Sequence, residues 1–161
     1  MSFRKSARIV STVWIVVADR SSARIFAAEG PGLENFREVA DLVNPQGSLH
    51  GRDVYPDRFG RDHAPDGHGF SESPPTDLPH YEAELFGQHI IKQLEEGRTH
   101  NQFGQLVVVA APLMLGMLRK HYSPPLKKLV EAELDKELTQ ANGADVLKHV
   151  RQALELVATE R

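Results

Sequence analysis

The stretch Gly104–Leu126, GQLVVVAAPLMLGMLRKHYSPPL, decides the fold, because its pattern changes from strand to helix within a few residues. Leu106–Ala111 is an unbroken apolar run, rich in valine and too short for an isolated helix. A strand that is apolar on both faces has to be covered on both, which predicts a buried parallel strand. Pro112 ends the strand, since proline has no N–H to donate to a continuing ladder.

Two short helices are predicted after this strand. Leu113–His121 carries apolar residues at helical spacing and ends in the cationic run Arg119–His121, which suits the negative end of the helix macrodipole. Ser123 then serves as an N-cap, and Pro124 fits the first turn of a second helix. The whole stretch is therefore one half of an α/β unit.

The first part of the chain predicts three strands with short turns. Val13–Ala18 is again apolar on both faces, and Ala23–Ala28 and Asn35–Leu42 extend it into an antiparallel meander. Near the other end of the chain, Val130–Leu134 alternates as a weaker strand. We expect the two doubly apolar strands to lie side by side and parallel at the centre of the sheet.

Two longer helices complete the pattern, one from about Asp77 to about Gly97 and one after Gly143. Each has an apolar stripe at three- and four-residue spacing. The first stripe is Ala83, Phe86, Gly87, Ile90, Ile91 and Leu94, and the second is Val146, Leu147, Val150, Ala153, Leu154 and Val157. The order is three strands, a long loop, helix, strand, two short helices, strand and helix.

Composition indicates one ordinary globular domain, which we place at residues 1–161 with a long Gly/Pro-rich loop at 44–79. The formal net charge of −3 lacks the strongly basic footprint of many nucleic-acid-binding domains. There is no cysteine, which excludes disulfides, thiolate metal sites and thiol nucleophiles.

The start of the chain superficially resembles a secretory signal, because basic residues precede the apolar run Ile9–Ala18. Ser11 and Thr12 interrupt that run, however, and no small-residue cleavage site follows it. No run of about 18 apolar residues, the length that crosses a bilayer, is present. We expect a cytoplasmic protein without a membrane span.

Asp19 is the sharpest candidate for chemistry, because ribonuclease-H-like nucleases place a metal-binding aspartate at the end of the first strand. Two-metal catalysis needs further carboxylates that converge on the same ions. Glu82 or Glu84 could supply one, but the fourth strand ends in Ala-Ala-Pro without an acid. We favour the alternative that Asp19 caps its turn by bonding backbone amides or Arg24, and we expect neither metal nor cofactor there.

Other catalytic signals are weak. The loop histidines His50, His63 and His68 have aspartates nearby, but no HExxH motif sets a ligand geometry. The sequence has no GxSxG elbow, no GxxxxGK[ST] phosphate loop and no GxGxxG after a strand. The sequence therefore identifies no catalytic residue, and we predict no metal ligands.

A basic segment, Leu113–Lys128, contains no acidic residue. Its polar members are Arg119, Lys120, His121, Tyr122, Ser123, Lys127 and Lys128. A cationic patch with an aromatic side chain is suited to the phosphates of RNA. The alternative is that these residues form only the solvated faces of two short helices.

Three quoted pieces resemble the bacterial host-attachment protein family. They are VWIVVADRSSARIF at 13–26, GRDHAPDGHGFSESPPTDLPHYEAELFGQHI at 60–90 and LVVVAAPLMLGMLRKHYSPPLKKLVEAELDKELT at 106–139. Members of this family are described as required for attachment to host cells. The name reflects a phenotype and specifies no chemistry.

The family is also similar to the middle domain of the class-one peptide release factors of archaea and eukaryotes. That likeness implies a mixed sheet of order 3-2-1-4-5, with strand two antiparallel and helices on both faces. The release-factor loop carries a Gly-Gly-Gln tip, whereas the corresponding loop here has Gly67–Phe70, GHGF. Gln88 and Gln93 fall within the predicted helix, so neither can replace the glutamine of the loop tip. The resemblance therefore does not extend to peptide release, but it leaves ribosome or tRNA binding open.

Two functional hypotheses follow. The first is a non-enzymatic binding domain, associated with the ribosome or tRNA, that affects attachment indirectly; the second is a hydrolase or metal-dependent nuclease that uses Asp19 and the loop histidines. The candidate binding residues are Arg119, Lys120, His121, Lys127 and Lys128 of the basic segment, Asp19, Arg20 and Arg24 of the first hairpin, and Arg52, Arg61 and His63 of the loop.

Overall fold

The computed structural model describes residues 11–45 and 77–160 of the chain. In chain order the elements are β1 (Thr12–Ala18), β2 (Ser22–Glu29), β3 (Glu34–Val43), α1 (Asp77–Thr99), β4 (Gln105–Ala110), α2 (Pro112–His121), α3 (Pro124–Leu129), β5 (Val130–Leu134) and α4 (Gly143–Glu160). Element types and order agree with the sequence patterns, and the boundaries shift by one or two residues.

The described strands form a five-stranded mixed sheet of order β3-β2-β1-β4-β5. β2 pairs antiparallel with β1 and with β3, whereas β1–β4 and β4–β5 are parallel. The register of the central pair runs from Val13 opposite Gln105 to Ala18 opposite Ala110. The predicted sheet order 3-2-1-4-5 and the parallel pairing of the two doubly apolar strands are confirmed.

Two apolar cores lie on opposite faces of this sheet. Val16 and Val108 point into the core formed with α1, α2 and α3, whereas Ile15 and Val107 point into the core formed with α4. All four side chains are fully buried. Alternate residues of one strand thus serve both cores, which explains why β1 and β4 are apolar throughout.

The segment predicted as a loop, 44–79, is described only at its two ends. Asn44 is buried, and its side-chain amide donates to the carbonyl oxygen of Arg20 at 2.9 Å, which ties the end of β3 to the β1–β2 turn. Residues 77–79 belong to α1, which agrees with the helix predicted from about Asp77, and Pro79 lies in its first turn, where a proline is tolerated. The remainder of the predicted loop, 46–76, lies outside the described residues.

No helix among residues 11–45 and 77–160 is long and apolar enough to cross a membrane.

Gly97, inside α1, allows the helix to approach the sheet closely. A Cβ atom at this position would lie 2.6 Å from Cη2 and 2.7 Å from Cζ3 of Trp14. The indole ring is stacked on Phe103, with ring centroids 4.6 Å apart, so it cannot turn away without losing that contact. Glycine is therefore required here by packing, although it lowers helix propensity.

We expect Gly97→Ala to lower the free energy of unfolding by about 1–3 kcal/mol, because the added methyl group overpacks the indole ring. Gly116, in α2, is the matched control: a Cβ there meets nothing within 4 Å. Gly116→Ala should raise the same free energy by about 0.5–1 kcal/mol through helix propensity. Urea denaturation followed by circular dichroism checks both values, and equal effects of the two substitutions would contradict this account of the packing.

Candidate functional site

The basic segment folds as the end of α2 and the whole of α3. Between the two helices, Tyr122 adopts an extended conformation, and Ser123 caps α3 by accepting a hydrogen bond from the backbone N–H of Leu126 at 3.1 Å. Arg119, Lys120 and His121 lie in the last turn of α2, and Lys127 and Lys128 lie in the last turn of α3. We call these five residues the basic surface.

Arg119 forms an ion pair with Glu133, which lies outside the basic segment Leu113–Lys128. Its Nη2 lies 2.6 Å and its Nε 2.8 Å from Oε1 of Glu133 in β5. The other oxygen of Glu133 accepts a hydrogen bond from the Tyr122 hydroxyl at 2.9 Å. The carboxylate raises the pKa of Arg119, while burial and the bond to Glu133 together raise the pKa of Tyr122. The Tyr122 hydroxyl is therefore already hydrogen-bonded within the protein.

Lys120 and His121 share a second carboxylate, Glu84 of α1. Lys120 Nζ lies 3.1 Å from Glu84 Oε2, and His121 Nε2 lies 3.4 Å from the same oxygen. The hydrogen bond from Lys120 is the main reason that the pKa of Glu84 lies below its usual value. The contact with His121 is long for a hydrogen bond, and it becomes an ion pair only when the imidazole is protonated.

Lys127 and Lys128 differ from these residues. Both are exposed on α3, and neither has a carboxylate partner within the described parts of the chain. Arg119 and Lys120 are paired, but their side chains remain 55% and 57% exposed. The arginine and the lysines of the basic surface are thus accessible to solvent, but Arg119 and Lys120 are paired with carboxylates from other elements. The surface is therefore not the acid-free patch that the sequence of Leu113–Lys128 suggests.

Sequence reasoning missed the residues that contact the basic surface from other elements. Glu84 and Glu133 lie outside the basic segment, and the hydrogen bond between Tyr122 and Glu133 was not predicted. One signal was available for Glu133: the sequence VEAEL alternates, and a strand that follows the crossover α2–α3 lies beside those helices.

Asp19 is occupied by contacts inside the protein. Its Oδ1 accepts hydrogen bonds from the backbone N–H groups of Ser21 and Ser22, both at 2.8 Å, and its Oδ2 accepts one from the Thr139 hydroxyl at 2.6 Å. The interpretation of Asp19 as a turn cap through backbone amides is therefore confirmed, and Thr139, which is buried, is an additional partner.

Arg24 does not contact Asp19 but reinforces the same attachment. Its Nη1 donates to the carbonyl oxygens of Thr139 at 3.1 Å and Ala141 at 2.6 Å, and its Nε and Nη2 contact the Glu38 carboxylate at 3.3 and 3.2 Å. Arg24 thus holds the segment before α4 against the sheet. The neighbouring side chain of Arg20 is exposed.

The remaining candidates, Arg52, Arg61 and His63, lie outside the described residues, as do the histidines at 50 and 68. Within residues 11–45 and 77–160, no group of three or more histidine, aspartate or glutamate side chains is arranged to hold a metal ion. The described candidates thus fall into two groups: the basic surface on α2 and α3, and Asp19 with Arg24, each of which binds a different atom of Thr139.

A groove of about 770 Å³ lies on the opposite, α4 face of the sheet. Its apolar walls include Val13, Val107 and Leu154, and Arg151 at its rim donates to the Gly32 carbonyl oxygen at 3.0 Å. The groove is separate from the basic surface, and its described lining contains no nucleophile paired with a base.

We expect Asp19→Ala to lower the free energy of unfolding by about 1–3 kcal/mol, because three donors lose a charged acceptor. Glu137 provides the control: it is an exposed carboxylate near Thr139, without a hydrogen bond in the described structure. Glu137→Ala should change the stability by less than about 0.5 kcal/mol. Urea denaturation compares the two variants, and an equally small effect of Asp19→Ala would show that the cap contributes nothing.

Calorimetric titration with magnesium or manganese should give no heat from a specific site at Asp19. Both of its oxygens already accept hydrogen bonds, and hard cations need several converging oxygen ligands. A micromolar site that is abolished by Asp19→Asn would contradict this expectation and favour a metal-dependent nuclease.

Comparison with known proteins gives three similarities. The model of a family described as "protein required for attachment to host cells" matches residues 14–150. The uncharacterized protein RP470 of Rickettsia prowazekii (strain Madrid E) is 38% identical over 71 residues, which are 43% of this chain and 47% of that protein. The match thus spans about half the length of this curated relative.

A structural similarity connects the chain to an archaeal translation termination factor, aRF1. The superposition covers 92% of this chain and 40% of that protein, with a TM-score of 0.48 and 10% sequence identity.

Proposed function

The chain belongs to the family of proteins required for attachment to host cells, and we propose that it is a non-enzymatic binding domain whose basic surface holds the phosphates of RNA. The proposed partner is tRNA or the RNA of the ribosome, and the proposed compartment is the cytoplasm. Attachment to host cells would then be affected indirectly, through the synthesis of other proteins.

The observation that carries this proposal is that the two lysines on α3 are exposed and unpaired within the described structure. Lys127 and Lys128 are exposed and have no carboxylate partner among the described residues, so they are available to a phosphate backbone without breaking an internal contact. Arg119 and Lys120, more than half exposed, lie on the adjoining end of α2 and extend the cationic area. Cations that track a backbone bind without reading sequence.

The hydrolase or nuclease alternative has less support. Both oxygens of Asp19 are used in the β1–β2 turn and in the contact with Thr139, and the segment after β4 begins with Ala111 and Pro112 rather than an acid. Tyr122 is half-buried and packs against the core, which argues against base stacking on its ring as the main source of affinity. Binding through charge is therefore the function that this geometry favours.

The test is a double substitution, Lys127→Ala with Lys128→Ala, assayed by fluorescence anisotropy with labelled tRNA over a series of salt concentrations. Removing two phosphate contacts should weaken binding and lower the salt slope of log K by about 1.4 to 1.8. Lys148→Ala is the control, because Lys148 is an exposed lysine on α4, across the sheet.

The pair Arg119→Ala with Lys120→Ala extends the same assay to α2. It should also weaken binding and flatten the salt dependence, while the circular dichroism spectrum stays unchanged because both side chains are on the surface. If the wild type binds neither tRNA nor ribosomes at low salt, the proposal is wrong, and the basic surface is only the solvated side of two helices.

A further inference from the structure

We propose that Glu84 and Glu133 are built-in competitors of RNA phosphate, which hold Lys120 and Arg119 until a phosphate backbone displaces them. This inference rests on the proposed function. It divides the basic surface into an open half, Lys127 and Lys128, and a guarded half, Arg119 and Lys120.

Glu133 is suited to this role because it keeps a partner when Arg119 leaves. Its side chain is only 21% exposed, compared with 55% for Arg119, so the arginine is the member of the pair that a ligand in solution can reach. Both contacts of Arg119 are made to Oε1, whereas Oε2 accepts the hydrogen bond of Tyr122. The guanidinium can therefore turn toward a phosphate while Tyr122 still stabilises the carboxylate.

Glu84 repeats this arrangement with different residues. Its side chain is 26% exposed, compared with 57% for Lys120, and His121 lies 3.4 Å from the same oxygen. When Lys120 turns away, the imidazole remains next to the carboxylate. In both pairs, then, an exposed cation is held by a less exposed carboxylate that has a second neighbour from the same short segment. Tyr122 makes a hydrogen bond to Glu133, and His121 makes a longer contact with Glu84.

The ion pairs of Arg119 and Lys120 are weak enough for a chain of phosphates to displace Glu133 and Glu84. Breaking an exposed ion pair changes an equilibrium constant by up to about fivefold. Lys127 and Lys128 can first hold the backbone close to α2, so that the exchange at Arg119 and Lys120 occurs at high local concentration. A ligand that does not reach both halves gains only the contacts of α3.

The experiment measures tRNA binding of Glu133→Gln, Glu84→Gln and their combination by anisotropy at low salt. Glutamine keeps the size of the side chain and an oxygen that can accept the Tyr122 hydrogen bond, but it removes the charge. Each single change should tighten binding about twofold to fivefold, the range set by a surface ion pair. Glu34→Gln, at the exposed start of β3, removes the same charge away from the site and should have less effect.

A background without the guarded cations separates competition from general charge. In the variant carrying Arg119→Ala and Lys120→Ala, the two glutamine substitutions should lose most of their effect, because no cation is left to release. The inference is overturned if the glutamine variants match the wild type or the Glu34→Gln control, or if their effect persists in that background. Loss of binding in the Lys127 and Lys128 variant alongside unchanged glutamine variants would overturn this inference alone, whereas a wild type that does not bind tRNA overturns both proposals.

Discussion

The parallel pairing of β1 with β4 is the constraint on which the rest of the structure depends. Both strands are apolar on both faces, so neither face of the sheet can meet water at its centre. The chain satisfies this by placing α1, α2 and α3 on one face and α4 on the other. The meander β1–β2–β3 extends the sheet on one side and β5 on the other, which leaves the two apolar strands in the middle.

The basic surface is a consequence of this layout. A parallel connection from β4 to β5 has to cross over the sheet, and here α2 and α3 make the crossing. The same crossing lays the end of α2 against α1 and β5, which carry Glu84 and Glu133. The charge of the surface is therefore set by four elements, α1, α2, α3 and β5, and the difference between the unpaired lysines of α3 and the paired cations of α2 follows from how these elements pack.

The sequence was a good guide wherever one element decides the outcome by itself. The apolar runs of β1 and β4, the stripe of α1 and the cap at Ser123 are local patterns, and they predicted the helices and the parallel central pair of strands. The full sheet order was implied by the resemblance to the release-factor middle domain. The pairing of Arg119 with Glu133 and of Asp19 with Thr139 was not predictable in this way, because each joins elements whose relative position depends on the finished packing. A segment of sequence that contains no acidic residue can therefore lie next to acidic residues of other elements once the chain has folded.

The two faces of the sheet are covered unequally, and this bears on how the protein opens. In the described structure α4 is the helix on its face, and within it Val146 and Val150 are fully buried while Leu154 is half-buried and Leu156 is 65% exposed. The other face is covered by three helices. Partial unfolding should therefore begin with α4 from its C-terminal end, so that its amide hydrogens exchange with deuterium earlier than those of α1. Arg24, which binds the carbonyl groups just before α4, would then mark where this opening stops.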